Sequence, residues 1–113
     1  MKITELFNVS GKVAIVTGGS RGIGEMIAAG FLANGVKVYI TARKEAALIE
    51  KAKELSEMYE ADCIPVPCDL STMDGMSDFV EFIQSKEEHI DFLINNAGAS
   101  WGEPYDELSL IHI

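Results

Sequence analysis

One stretch decides the fold: Val13-Ala14-Ile15-Val16-Thr17-Gly18-Gly19-Ser20-Arg21-Gly22-Ile23-Gly24. A short apolar run comes first, a glycine-rich turn follows it, and an amphipathic segment from Glu25 to Asn34 comes next. That order predicts a strand, a tight turn and a helix. Glycine permits the sharp turn and lets bare backbone approach a phosphate, while the start of a helix offers unpaired N–H groups to the phosphate oxygens. The stretch therefore predicts a phosphate cradle, and a glycine-rich surface turn is the alternative interpretation.

Apolar runs rich in valine and isoleucine recur along the chain and predict four buried strands: Val13–Thr17, Lys37–Thr41, Asp62–Val66 and Phe92–Asn95. Helical patterns separate them, so the order β-α-β-α-β-α-β indicates parallel pairing with right-handed crossovers. We expect an α/β fold, the N-terminal half of a Rossmann-type doubly wound parallel sheet with strand order 3-2-1-4. A ligand is then expected at the carboxyl ends of the strands, between strands 1 and 4.

Residues at helical spacing, apolar except for Lys51, predict the helix faces turned to the sheet: Ile23, Ile27 and Phe31 in the first helix; Ala47, Leu48, Lys51, Leu55 and Met58 along one stripe of the second, which runs from Lys44 to Tyr59; and Met76, Phe79, Val80 and Ile83 in the third. Gly35 is a stop signal after the first helix. The hydroxyl of Ser71 is expected to cap the third helix, with Asp74 three residues on.

The composition limits the classes of function. With 113 residues and 48% hydrophobic content, the chain can form one domain with a buried core. A net charge of −9 disfavours nucleic acid as a partner. No apolar run approaches the roughly 20 residues of a membrane span, and the start lacks the pattern of a signal peptide. We therefore expect a cytoplasmic protein with no membrane partner.

Two cysteines, Cys63 and Cys68, lie in or beside the third predicted strand. Buried, reduced thiols are the expected state of such cysteines in the cytoplasm. A metal site would need further ligands, and neither His89, in a charged segment, nor His112, near the end, is a good candidate. We assign no metal site.

Two motifs resemble those of the short-chain dehydrogenase/reductase superfamily. The pattern T-G-x-x-x-G-x-G spans Thr17 to Gly24, and Asn95-Asn96-Ala97-Gly98 follows Asp91-Phe92-Leu93-Ile94. The resemblance extends from about Phe7 to Glu107. It implies an oxidoreductase with a nicotinamide cofactor, a homo-oligomeric (tetrameric) assembly, and cofactor contacts from these residues: Gly18, Gly19, Ser20, Arg21, Gly22, Ile23, Gly24, Arg43, Asp69, Leu70, Asn96, Ala97 and Gly98.

The choice between NAD and NADP depends on the end of the second strand. Enzymes that use NAD usually place an acid there to bind the adenosine ribose. Ala42 stands at that position, and Arg43 follows it. A guanidinium binds a 2′-phosphate as a fork, whereas a carboxylate repels it, and Arg21 adds a second cation on the same side. The resemblance thus implies NADP(H), and the alternative makes Arg43 an ordinary surface residue.

The remaining matches concern the adenosine half of the cofactor. Asp69 and Leu70 match the family pair beside the adenine ring, where a carboxylate accepts the amino hydrogens; the alternative is a helix-capping aspartate, and both roles are compatible. The resemblance places the backbone of residues 96–98 along the adenosine ribose. Asn95 is expected to be structural and to tie neighbouring strands through its amide.

The resemblance implies a catalytic mechanism in which a tyrosine is the acid. A lysine four residues after it lowers the pKa of this tyrosine, and a serine orients the carbonyl of the substrate. Position +4 from each tyrosine of this chain holds another residue: Arg43 after Tyr39, Cys63 after Tyr59 and Ser109 after Tyr105. No catalytic residue is therefore assigned, and this polypeptide alone is expected to be inactive. Residues 1–107 are interpreted as the N-terminal part of an NAD(P)-binding domain. Residues 108–113 match the in-frame translation of a transposase adapter end, so we predict a non-native tail; a natural β-rich C-terminus is the alternative.

Within the superfamily, Gly18–Gly24 and Asn95–Gly102 resemble bacterial 3-oxoacyl-acyl-carrier-protein reductases, and residues 100–102 resemble the branch related to rhamnolipid-pathway ketoacyl reductases. The resemblance implies hydride transfer from NADPH to the carbonyl of a 3-oxoacyl thioester, whether acyl-carrier-bound or small. A sugar, steroid or alcohol dehydrogenase of the same superfamily is an alternative. A non-catalytic nucleotide-binding short form is another.

Overall fold

A computed structural model describes residues 9–96. Four strands alternate with three helices along the chain: β1 Val13–Thr17, α1 Gly22–Ala33, β2 Lys37–Ala42, α2 Glu45–Tyr59, β3 Cys63–Pro67, α3 Met73–Lys86 and β4 Phe92–Asn95. The strands form one parallel sheet in the order β3-β2-β1-β4. The predicted fold class and strand order are confirmed.

The strand bounds match the prediction at β1 and β4 and differ slightly at the other two. β2 continues to Ala42, and β3 begins at Cys63 and ends at Pro67. Pro65 and Pro67 lack the N–H donor that a central strand needs. They are accommodated because β3 pairs on one side with β2 and lies at the edge of the described sheet.

Alternate residues of the strands face opposite layers, which gives a three-layer α/β/α arrangement. On one face, α1 and α2 bury a core with these members: Ala14, Val16, Ala28, Leu32, Val36, Val38, Ile40, Leu48, Ala52, Leu55 and Cys63. On the other face, α3 buries a second core: Ile15, Tyr39, Val66, Phe79 and Ile83. Both cysteines are free, and burial raises the pKa of each thiol to about 11, so both are protonated near neutral pH.

The predicted core-facing residues of α1 are confirmed at Ile27 and Phe31, which are partly buried and pack against the core, and wrong at Ile23. The buried positions of α1 are Gly24, Ala28 and Leu32, whereas the side chain of Ile23 is 67% exposed. Small residues let the helix approach the sheet closely beside the glycine turn. Hydrophobicity alone does not reveal such a stripe, because its first two members carry almost no side chain.

In α2, Leu48 and Leu55 are buried as predicted, but Ala47 is exposed and Met58 is 61% exposed. Ala52, which was not predicted, completes the buried stripe. A stripe spaced four and three residues apart is narrower than the one inferred from all apolar positions.

The cap of α3 is also different from the prediction. Thr72, with an extended backbone, is the N-cap, and its Oγ1 accepts a hydrogen bond of 3.0 Å from the Gly75 N–H. Ser71, the predicted cap, instead donates its hydroxyl to Asp69. Ser71 and Thr72 can both cap a helix through a hydroxyl oxygen. Because the Ser71 hydroxyl is bound to the Asp69 carboxylate, Thr72 is the residue that caps α3. Among the described helices, none is long and apolar enough to cross a membrane.

The amino edge of the sheet is held by side chains. The carboxylate of Asp91 accepts a 2.9 Å hydrogen bond from the N–H of Val13. Beside it, the Tyr39 hydroxyl donates to Glu87 Oε2 at 2.5 Å, and Lys37 Nζ lies 2.7 Å from the same oxygen. These contacts fix β4 to β1 and the end of α3 to β2.

Candidate cofactor site

The predicted site residues within 9–96 meet at the carboxyl edge of the sheet, as parallel strands require. The glycine turn follows β1, Arg43 follows β2, Asp69 lies just beyond β3, and Asn96 follows β4. Backbone hydrogen bonds join these segments: Gly18 N–H to Thr41 C=O at 3.0 Å and Cys68 N–H to Ala42 C=O at 3.1 Å. Ala97 and Gly98 lie outside the described residues.

The glycine turn adopts a backbone that other residues rarely adopt. Gly18 has φ of 67° and Gly22 has φ of 62°, both in the left-handed region. Among residues 9–96, a Cβ atom built on Gly22 meets no atom within 4 Å. The backbone at Gly22 therefore faces open space, where a phosphate could approach it directly.

Two other glycines are required by close packing. A Cβ atom on Gly19 would lie 2.5 Å from Ile40 Cγ2. One on Gly24 would overlap the carbonyl oxygen of Gly18 and lie 2.7 Å from Asn96 Nδ2. The start of α1 therefore contacts both the turn after β1 and the residue after β4, at the predicted switch between the two strands.

The start of α1 is open to an anion. The helix begins at Gly22, and Arg21 precedes it with extended backbone and provides no side-chain cap. The first N–H groups of a helix have no partner within the helix, and its dipole favours negative charge there. Arg21 is exposed beside these groups, and Ser20 is half-buried in the turn. The arrangement suits a phosphate group.

Thr17 is a site residue that the sequence interpretation did not assign. Its buried hydroxyl donates to Asn95 Oδ1 at 3.0 Å and accepts from the Asn96 N–H at 2.7 Å. The bond to Asn95 agrees with the structural role predicted for that amide. The sequence signal that could have identified Thr17 is a hydroxyl residue, where an apolar one would be expected, at the last position of a buried strand.

Arg43 and Asp69 form the charged part of the edge. The hydroxyl and the backbone N–H of Ser71 donate to the Asp69 carboxylate, and with the nearby positive charge of Arg43 they lower the pKa of Asp69. Arg43 is exposed, and the preceding Ala42 supplies no acid. Leu70 is half-buried and packs against the core under α3.

Together these features fit a dinucleotide with an additional phosphate. The open space at Gly22 and the uncapped start of α1 suit a diphosphate. An exposed guanidinium at the end of β2, preceded by Ala42 in place of an acid, suits a 2′-phosphate. Gly18, Gly19 and Gly24 shape the turn, and Ile23 is exposed at its outer side.

The sequence profile of the short chain dehydrogenase family matches residues 12–113. The chain therefore belongs to this family of oxidoreductases. It is 44% identical, over 85% of its length and 37% of the relative, to the rhamnolipids biosynthesis 3-oxoacyl-[acyl-carrier-protein] reductase of Pseudomonas aeruginosa. It is 42% identical to a fatty acyl-CoA reductase of Acinetobacter baylyi, over 88% of this chain and 34% of that one.

Solved structures agree with the fold. A complex of Pseudomonas aeruginosa RhlG with NADP superposes with a TM-score of 0.77 at 44% identity, covering 83% of this chain and 37% of that one. L-sorbose reductase from Gluconobacter frateurii, complexed with NADPH and L-sorbose, gives a TM-score of 0.77 at 38% identity, covering 88% and 38%. The chain thus spans little more than a third of the length of these proteins.

Proposed function

We propose that the protein to which this chain belongs is an NADP(H)-dependent reductase that transfers a hydride to a carbonyl group. The observation that carries the proposal is the joint position of the open glycine turn and of Arg43 at one edge of the sheet. The relatives named above that were solved with NADP or NADPH support the same cofactor.

Each part of this edge would act on one part of the cofactor. The N–H groups at the start of α1 would bind the diphosphate, with Arg21 beside them. Arg43 would bind the 2′-phosphate, and the Asp69 carboxylate would accept a hydrogen bond from the adenine amino group. When bound, NADPH supplies a hydride to the carbonyl carbon while the carbonyl oxygen takes up a proton. The residues of this chain bind and orient the cofactor.

The preferred substrate is a 3-oxoacyl thioester. The support is the 44% identity to a 3-oxoacyl-[acyl-carrier-protein] reductase. A sugar carbonyl is the second candidate, because the L-sorbose reductase is 38% identical over 88% of the chain. The two are separated by an assay of NADPH oxidation with an acetoacetyl thioester and with a ketose. Faster turnover of the ketose would contradict the thioester assignment.

We also propose that residues 1–107 are the N-terminal part of a larger domain, of homo-oligomeric assembly, and that residues 108–113 are not native. In the described part of the chain, the sheet leaves open an apolar groove of about 260 Å³ between α3 and β4, lined in part by Ile15, Phe79, Ile83 and Leu93. Further chain in the larger domain would cover this groove. Resequencing the source DNA across codon 107 tests the tail, and an authentic codon run for residues 108–113 would contradict it.

Replacement of Arg43 tests the cofactor. In the full-length protein, Arg43→Ala removes a charge-assisted contact to the 2′-phosphate, so the Kd for NADPH should rise about 10- to 100-fold. The Kd for NADH should change less than about twofold. Ala42→Asp should also weaken NADPH much more than NADH, because the new carboxylate repels the 2′-phosphate.

The control is Lys53→Ala, which removes one positive charge from an exposed position of α2. It should leave both affinities unchanged. Titration of the fluorescence of the reduced cofactors measures all four proteins. An equal loss of NADPH and NADH affinity in Arg43→Ala would refute the assignment of this arginine to the 2′-phosphate.

A further inference from the structure

The loop between β3 and α3 holds one carboxylate in a defined orientation. Asp69 Oδ1 accepts two hydrogen bonds from Ser71, one from the backbone N–H at 3.0 Å and one from the hydroxyl at 2.5 Å. Both donors reach the same oxygen. Within residues 9–96, Oδ2 of Asp69 accepts no hydrogen bond, so this oxygen can accept one from a ligand.

The backbone of the loop is fixed as well. The Thr72 hydroxyl donates to the Asp69 carbonyl oxygen at 3.1 Å, and the same hydroxyl oxygen caps α3 by accepting from the Gly75 N–H. A Cβ atom on Gly75 would overlap the Asp69 carbonyl oxygen. The loop therefore lies directly on the first turn of α3, and the Cys68 N–H anchors its other end to β2. Ser71 also restrains the side chain of Asp69 through its two hydrogen bonds to Oδ1.

We propose, on the basis of the NADP(H) function proposed above, that Ser71 is a positioning residue for recognition of the adenine ring. Its hydroxyl holds Oδ1 of Asp69 so that Oδ2 accepts a hydrogen bond from the 6-amino group. Without the hydroxyl, the backbone N–H still binds Oδ1, but the carboxylate can rotate toward the guanidinium of Arg43, whose charge already acts on it. Ser71 would thus contribute to base selectivity without touching the cofactor.

The test compares NADPH with its hypoxanthine analogue, in which an oxygen acceptor replaces the 6-amino donor. A site that binds an amino group through a held carboxylate disfavours the analogue, because two acceptors then face each other. In the full-length protein we expect NADPH to bind about 10-fold or more tightly than the analogue. Ser71→Ala should reduce this preference about threefold or more, through loss of NADPH affinity with little change for the analogue.

Ser71→Thr keeps the hydroxyl and should restore the preference. Ser77→Ala removes a hydroxyl from an exposed position of α3 and should have no effect. A second measurement is the pKa of Asp69 by carbon NMR of its carboxyl group, which should rise in Ser71→Ala and stay unchanged in Ser77→Ala.

The outcomes separate the two proposals. Failure of the unchanged protein to bind either nucleotide would overturn the NADP(H) function and the role of Ser71 together. Normal binding with an equal loss of both nucleotides in Ser71→Ala would overturn the positioning role alone, since it would show a general effect on the loop. An unaltered preference in Ser71→Ala would overturn it too.

Discussion

Replacement of two glycines in one helix separates the packing of the glycine turn from ordinary helix propensity. Gly24 and Gly30 both lie in α1, and alanine is favoured over glycine in helix interiors by about 0.8–1 kcal/mol. In the part of the chain that the structure describes, a Cβ atom on Gly30 meets nothing within 4 Å, so Gly30→Ala should stabilise the protein by about 0.5–1 kcal/mol. A Cβ atom on Gly24 overlaps the Gly18 carbonyl and crowds Asn96, which are parts of the site.

Forcing an extra carbon into a packed position costs about 1–3 kcal/mol, because neighbouring atoms must move. Since both variants gain propensity, Gly24→Ala should be less stable than Gly30→Ala by about that amount. The displaced turn should also raise the Kd for NADPH about 10-fold or more, whereas Gly30→Ala should leave it unchanged. Gly24→Val, with a larger and branched side chain, should abolish cofactor binding while much of the fold remains.

Urea denaturation followed by circular dichroism gives the free energy of unfolding, and fluorescence titration gives the Kd. Equal stabilities of the two alanine variants would contradict the close packing at Gly24. Wild-type NADPH affinity in Gly24→Val would contradict the phosphate-binding role of the turn.

Two further predictions concern side chains that join the strands. Thr17→Val keeps the shape of the side chain but removes the hydroxyl that binds Asn95 and Asn96, so the free energy of unfolding in urea titrations should fall by about 1–3 kcal/mol. Thr17→Ser keeps the hydroxyl and should retain most of the stability. Equal losses in the two variants would indicate that packing, and not the hydroxyl, is responsible. Burial and the bond to Glu87 raise the pKa of Tyr39 to about 12. The unfolded chain therefore loses this proton first as the pH rises above about 10, so stability should decline between about pH 10 and 12. Tyr39→Phe should make that decline shallower, and an unchanged slope would count against the buried phenol as its source.

The fold was largely predictable because its signals are local and repeated. Short runs of branched apolar residues marked each strand, and β1 and β4 agree with the prediction to the residue. The alternation of strands with helices indicated parallel pairing, and the strand order followed from the Rossmann arrangement of such units. Once the strands are parallel, the topology alone places the glycine turn, Arg43, Asp69 and Asn96 at the carboxyl edge of the sheet.

The predictions that were wrong concern contacts that the spacing of apolar residues does not encode. Gly24 is buried because it meets Gly18 and Asn96, and no hydrophobicity pattern encodes that meeting. Ser71 and Thr72 have the same capping ability, and the position of Asp69 assigned the cap to Thr72. Polar side chains with several short-range partners are therefore the least predictable parts of this site.

The two edges of the sheet differ in how their polar groups are used. At the amino edge, charged side chains are paired within the protein, as Glu87 is with both Lys37 and Tyr39. At the carboxyl edge, Arg43 is exposed and the start of α1 has no side-chain cap. A chain with a net charge of −9 repels an anionic dinucleotide at long range, so local cations and oriented N–H groups must supply the attraction. The carboxyl edge, with the N–H groups of α1 and the exposed Arg43, is thus the edge that can bind phosphate. The paired side chains of the amino edge hold the strands in place.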